Sequence, residues 1–403
     1  MIHDIQYIEG SVAAPLGFKA AGVKARIRYN KKDLALIVSE VPAAAAGVFT
    51  TNKVKAAPVV LSARHIADGR AQAVVVNSGC ANACTGEDGM TMAVEMAREA
   101  AGYLGINAED VVVASTGVIG EKLPMDKIKA GISEAASVLS SDGGHDAALA
   151  IMTTDTVPKE VLIKLEIGGS VVTIGGIAKG SGMIMPNMAT MLAFVTTDAA
   201  ITPQLLRKSV TYAAERTFNM VTVDGDTSTN DSLIVLANGL AGHSIIEQED
   251  ENFFIFRDAL ERVCKALAMM IARDGEGATK LIEVEVRNAP AFADARKVAM
   301  AVANSNLVKT AVFGEDANWG RIICAAGYSG ADIDPERIDI FIGDEKMAEN
   351  GAPLNFSEDR AKEILGCKEV KITLDLHHGS EKATAWTCDF SFDYVKINAS
   401  YRS

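Results

Sequence analysis

Aromatic residues are scarce in this chain, at 5% of 403 residues, too few to build a base-stacking surface. Basic charge is also in short supply. Lys and Arg total 39 against 52 Asp and Glu, a formal net charge of -13. Such a chain repels phosphate backbones, and its Lys and Arg are scattered, so no nucleic-acid partner is expected. The six cysteines (Cys80, Cys84, Cys264, Cys324, Cys367 and Cys388) are spread too thinly for a disulfide framework and are expected as small core residues. The six histidines form no pattern that points to a Ser-His-Asp triad. His377 and His378 are adjacent, and neighbours on a strand face opposite ways. Cys80 and Cys84 lack a second pair, so no metal is expected. The first residues, MIHDI, carry an acid at position 4 and no basic or apolar run. No secretory signal is expected there, and the expected compartment is the reduced cytoplasm.

Long charge-free runs are few. Residues 180–197, GSGMIMPNMATMLAFVTT, reach the length of a membrane span. Pro186, Asn187, Thr190 and two glycines break the run, which predicts a buried strand–loop–strand and no membrane helix. What is present is ordinary globular composition, with 49% hydrophobic and 23% charged residues.

Short β-rich runs alternate with helical periodicity. Strands are expected over residues 34–41, 73–77, 111–115, 171–174, 191–195, 232–237, 281–286, 370–376 and 382–392. Helices are expected over 88–104, 125–139 after Pro124, 203–216 and 252–273. In the first, Met90, Ala93, Val94, Ala97, Ala101 and Leu104 share one face. The alanine run 43–46 and the pair Gly143-Gly144 read as turns or surface corners. There is no internal repeat and no long linker.

Several familiar sites are missing. There is no GxxxxGK[ST] loop, and GGIAKGSG at 175–182 lacks the phasing of a dinucleotide fingerprint. No GxSxG elbow is present. DGDTSTND at 224–231 begins like an EF-hand loop but lacks its glycine, and Val235 replaces the bidentate acid.

The segment PNMATML at 186–192 offers chemistry of another kind. Thr190 opens an apolar strand behind a loop of glycines and proline. It is either a core threonine with a local hydrogen bond or a nucleophile that attacks its own preceding peptide bond, Ala189–Thr190. Cleavage there frees an α-amine of pKa roughly 7.7–8.0, able to take the proton from the hydroxyl of the same residue. That logic needs no histidine. Acyl transfer also needs an oxyanion site. Residues 111–115 run into Thr116-Gly117, where a hydroxyl and an amide can converge on one oxygen. A plain strand-to-helix turn is the competing reading.

The chain resembles the glutamate N-acetyltransferase family, also called ornithine acetyltransferase, of the arginine pathway. The resemblance covers nearly the full length. It rests on GVFTTN at 47–52 with AAP at 56–58, NSGCANACTG at 77–86, STGVIG at 115–120, TTDTVPK at 153–159 and AKGSGM at 178–183. It continues through NMATML at 187–192, VDGDTSTND at 223–231, DGEGATK at 274–280 and NWGR at 318–321. The resemblance implies a precursor that cleaves itself before Thr190 into chains 1–189 and 190–403, with two copies of each associating. It implies acetyl transfer from N2-acetyl-L-ornithine to L-glutamate through acetyl-Thr190, with acetyl-CoA as a further donor and no bound cofactor. Thr116 and Gly117 match the oxyanion hole; Thr156, Lys179, Thr190, Glu276, Asn398 and Ser403 match substrate-contacting positions. Cys80 and Ser403 depart from the family's expected Asn and Thr. The implied fold is α/β (α+β), a layered sandwich with a smaller C-terminal α/β subdomain over 281–403. Lys179 suits a substrate carboxylate and Glu276 a cationic amine. The competing readings are an N-terminal-nucleophile amidase or aminopeptidase, and a non-catalytic amino-acid-binding protein.

Overall fold

The computed structural model describes residues 5–185 and 191–400. The Ala189–Thr190 bond and Ser403 therefore lie outside the described residues.

The described residues build two sheets of nine and six strands. Near one edge of the larger one, Arg70–Cys80 pairs antiparallel with Leu34–Phe49 and parallel with the edge strand Val111–Val118. Alternation along Arg70–Cys80 sends its two faces to separate cores. Val74 and Val76 pack with Ile37, Ala147 and Ile151 under the helix Gly144–Ile151. Ala73 and Val75 pack with Leu36, Val113, Met96 and Ile132 under the helices Gly86–Leu104 and Met125–Ser137. Leu192–Thr197 alternates likewise. Leu192 and Phe194 join the first core, while Ala193 and Val195 face Phe256, Leu260 and Leu267 of the helix Glu251–Arg273. The layered α/β sandwich is thus present.

Leu34–Phe49 is longer than its sequence signal, at 16 residues. It pairs with Arg70–Cys80, passes an irregularity between Val38 and Ala43, and then pairs with Ser232–Ala237. The alanines 43–46, expected at a surface corner, are therefore strand residues, and Ala43, Ala45 and Ala46 are buried. Small side chains there reflect close packing between layers. The expected late strand 382–392 ends at Cys388, and Phe392–Ser400 is a helix. Three of the cysteines expected in the core, Cys84, Cys324 and Cys367, are exposed, while Cys80, Cys264 and Cys388 are buried.

The second sheet starts at Leu281–Ala289, which pairs parallel with Glu369–Asp375 and antiparallel with Glu381–Cys388. One continuous core joins it to the first, through Leu281, Val284 and Trp386 on one side and Phe253, Phe256 and Val263 on the other. Among the described residues, no helix is long and apolar enough to cross a membrane.

Candidate active site

Thr116 and Gly117 lie at the end of Val111–Val118, where the parallel register sets Ser78 beside Thr116 and Gly79 beside Gly117. Gly117 has φ +132°, a conformation side chains avoid, and a Cβ there would lie 2.2 Å from the carbonyl carbon of Gly79. Glycine is required at this irregularity of the ladder, where Cys80 pairs with both Thr116 and Val118.

Lys179 ends the strand Ser170–Lys179 and is opposite Leu192 in the antiparallel register. Its Nζ donates to Thr116 Oγ1 at 3.3 Å. An ammonium has no acceptor, so the hydroxyl oxygen receives that bond and the hydroxyl's own proton stays free to donate. Lys179 is 3% exposed. Burial lowers its basicity, Asp155 and Asp231 oppose that, and Lys159 and Arg28 add to it.

Both residues open onto a cavity of about 190 Å³ that Glu276 and Asn398 also line. Glu276 sits in the turn after Glu251–Arg273, and its amide donates to Ser181 O at 2.8 Å. Gly182 leaves room for its carboxylate, since a Cβ there would lie 2.5 Å from it. Asn398 Nδ2 donates to Glu276 Oε2 at 2.9 Å, which docks the C-terminal helix over the site. Of the expected residues, Thr116, Gly117, Lys179, Glu276 and Asn398 thus share one cavity. Thr156 is exposed, lies outside that lining and turns to Asp274, which accepts from both its amide and its hydroxyl.

Thr190 falls outside the described residues, but its neighbour Met191 is held firmly. Met191 N donates to Asp231 Oδ1 at 2.9 Å, and Met191 O accepts from Ser232 N at 3.1 Å. Asp231 is fully buried, and its Oδ2 has no hydrogen-bond partner among the described residues. The nearby Thr50 hydroxyl donates instead to Ser228 O at 2.8 Å. Burial pushes the Asp231 carboxyl well above the usual range, against the Met191 amide and the Lys179 charge.

The sequence reading overlooked the acidic wall of the cavity, Asp224 and Asp226, with Tyr394 beside them. Asp224 accepts from the amides of Met183 and Ile184, yet burial raises its carboxyl. Asn230 Nδ2 donates to Ala81 O at 2.7 Å and Ser115 O at 2.8 Å, tying the strand Val111–Val118 to this loop. The polar run 223–231 between two apolar stretches was the signal; its resemblance to a calcium loop obscured it. Among the described residues, no group of three or more His, Cys, Asp or Glu could hold a metal.

Residues 19–403 match the model of the ArgJ family. The chain belongs to the ArgJ family. It is 60% identical over 402 residues to the arginine biosynthesis bifunctional protein ArgJ of Symbiobacterium thermophilum, covering 99% of this chain and 100% of that one. The protein of the same name from Caldanaerobacter subterraneus subsp. tengcongensis is 55% identical over 403 residues, covering 99% of this chain and 100% of that one. A crystal structure of ArgJ from Bacillus halodurans shares 49% identity at a TM-score of 0.51, and covers 52% of this chain and 98% of that chain. The family expected from the motifs is therefore the right one, and the chain is an enzyme of that ArgJ family.

Proposed function

We propose that the protein is an acetyltransferase of arginine biosynthesis. It moves acetyl from N2-acetyl-L-ornithine to L-glutamate through Thr190, after cleaving its own Ala189–Thr190 bond. The observation that carries this reading is the convergence of Lys179, Thr116, Gly117 and Glu276 on one cavity. N2-acetyl-L-ornithine carries a carboxylate, a neutral acetamide and a cationic side-chain amine. Lys179 suits the first, the Thr116 hydroxyl and Gly117 amide the acetyl oxygen, and Glu276 with Asp224 and Asp226 the third.

The chemistry balances without a cofactor. The α-amine of Thr190 takes the proton from its hydroxyl, and the oxygen attacks the acetyl carbon. The C–N bond to ornithine breaks, and the departing nitrogen takes the proton back. The α-amine of glutamate then attacks the ester, and Thr190 regains its hydroxyl. Acetyl-CoA fits the same scheme, with a thiol as leaving group.

Two further features support cleavage. Met191 is anchored on both its amide and its carbonyl, which fixes the chain just after the scissile bond. Cleavage before Thr190 divides the chain near its midpoint, and the solved Bacillus halodurans chain is about half the length of this one. We place the enzyme in the cytoplasm as two α chains (1–189) and two β chains (190–403), with 281–403 as a subdomain.

The deciding assay incubates purified protein with N2-acetyl-L-ornithine, with and without glutamate. N-acetylglutamate should form, initial-rate plots should give parallel double-reciprocal lines, and the Thr190-containing chain should carry one acetyl group. Steady release of acetate without glutamate would make the protein an amidase and overturn the reading.

A further inference from the structure

A chain of buried charges, Asp155, Lys159 and Asp274, lies behind the cavity. Lys159 is 0% exposed. Its ammonium donates to Asp155 Oδ1 at 2.7 Å and to Asp274 Oδ2 at 2.6 Å. Asp155 Oδ1 also accepts from the amide of Gly180, the residue after Lys179, at 2.6 Å. Its Oδ2 accepts from Thr153 N at 2.9 Å, and Thr153 lines the cavity. At the other end, Asp274 is two residues before Glu276, and its carbonyl accepts from Ser181 Oγ at 2.6 Å. Thr156 completes the chain by donating to Asp274.

Two buried ammonium groups that both act on Asp155 would repel each other and lose their hydration. The carboxylates of Asp155 and Asp274 make the arrangement tenable. We infer that Asp155, Lys159 and Asp274 are positioning residues: they set the charge and the seat of Lys179 on Thr116, and couple that seat to the turn that carries Glu276. Thr156 acts from the far end, through Asp274. Both ends of the substrate cavity are thereby fixed by one buried network.

The direction of each charge effect follows from the surroundings. Lys179 is faced by Asp155, Lys159, Asp231 and Arg28, and the same cavity is lined by Asp224, Asp226 and Glu276. Burial is the main influence that weakens its hold on a proton, Lys159 adds to it, and Asp155 is the main counterweight. Asp155 itself is pushed up by burial, but Lys179, Lys159 and the Gly180 amide hold it below the usual carboxylate range. Asp155→Asn removes the counterweight, so Lys179 should lose its proton at lower pH. Lys159→Met removes a repelling charge, so Lys179 should keep its proton to higher pH. The two variants should act with opposite signs.

The test is the pH profile of kcat/KM for acetyl transfer, together with titration of Lys179 by NMR of 13Cε-labelled lysine. The activity arm rests on the proposed reaction; the titration arm does not. In Asp155→Asn the alkaline limb should move to lower pH, with roughly tenfold more activity lost at pH 9 than at pH 6, because one nearby opposite charge shifts a proton equilibrium by about that factor or more. In Lys159→Met the limb should move to higher pH. The charge-neutral double variant should fall between them. Where one single variant fails to fold, the other still carries its predicted sign. Folded variants whose limbs and Lys179 titrations move the same way, or do not move, would reduce the network to a structural strut and overturn the proposal. Opposite Lys179 titrations in a protein that transfers no acetyl would sustain the network while retiring the reaction.

Discussion

The ammonium of Lys179 lies 3.3 Å from the hydroxyl oxygen of Thr116, across 63 residues of sequence. This contact joins a group suited to the substrate carboxylate with a donor suited to the acetyl oxygen. It also leaves the Thr116 proton available to the oxyanion. Thr116→Ala should therefore lower kcat by about 10²–10³ and change KM less, since the oxyanion charge develops only in the transition state. Steady-state kinetics with N2-acetyl-L-ornithine check this; a near-normal kcat would remove Thr116 from the oxyanion site.

Thr190→Ala should remain one chain on a denaturing gel and show no transfer, because both cleavage and turnover need the hydroxyl. Thr190→Ser should retain part of both. An uncleaved Thr190→Ala protein with wild-type activity would dismiss the nucleophile.

Two glycine substitutions should fail in different ways. Gly117→Ala forces a Cβ against the Gly79 backbone at φ +132°, and neither strand can yield easily. It should lower both thermal stability and activity. Gly182→Ala meets only the end of the Glu276 side chain. It should leave the melting temperature nearly unchanged and raise KM for N2-acetyl-L-ornithine. Melting curves beside KM values separate the two; equal loss of stability would refute the contrast.

Asp231 has its carboxyl raised by burial, above the unfolded value of about 3.9. For an acid with a raised folded value, the folded state binds the proton more tightly. Its contribution to stability is therefore greatest at low pH and declines as pH rises from the unfolded towards the folded value. Asp231→Asn lacks that decline. Its melting temperature relative to wild type should be higher at pH 8 than at pH 4. The reverse order would mean that Asp231 is charged in the native state.

The sequence by itself determined the family, the alternation of strands and helices, and the residue types of the site. The apolar run in Arg70–Cys80 and the helical stripe in Gly86–Leu104 are local signals, because a strand buried on both faces and a helix buried on one leave their mark on neighbouring residues. The motifs around Thr116, Lys179 and Glu276 were likewise legible as short strings of unusual composition. Tertiary structure decided which of them meet. Parallel pairing of Arg70–Cys80 with Val111–Val118 and antiparallel pairing of Ser170–Lys179 with Leu192–Thr197 bring Thr116 and Lys179 to one cavity. Asp224 and Asp226 join them through a loop that resembled a failed calcium site. Thr156 turned to Asp274, and the alanines 43–46 became buried strand because a neighbouring layer packs on them. Register and layer packing are long-range properties: they depend on residues distant in sequence but close in space, and no local period records them.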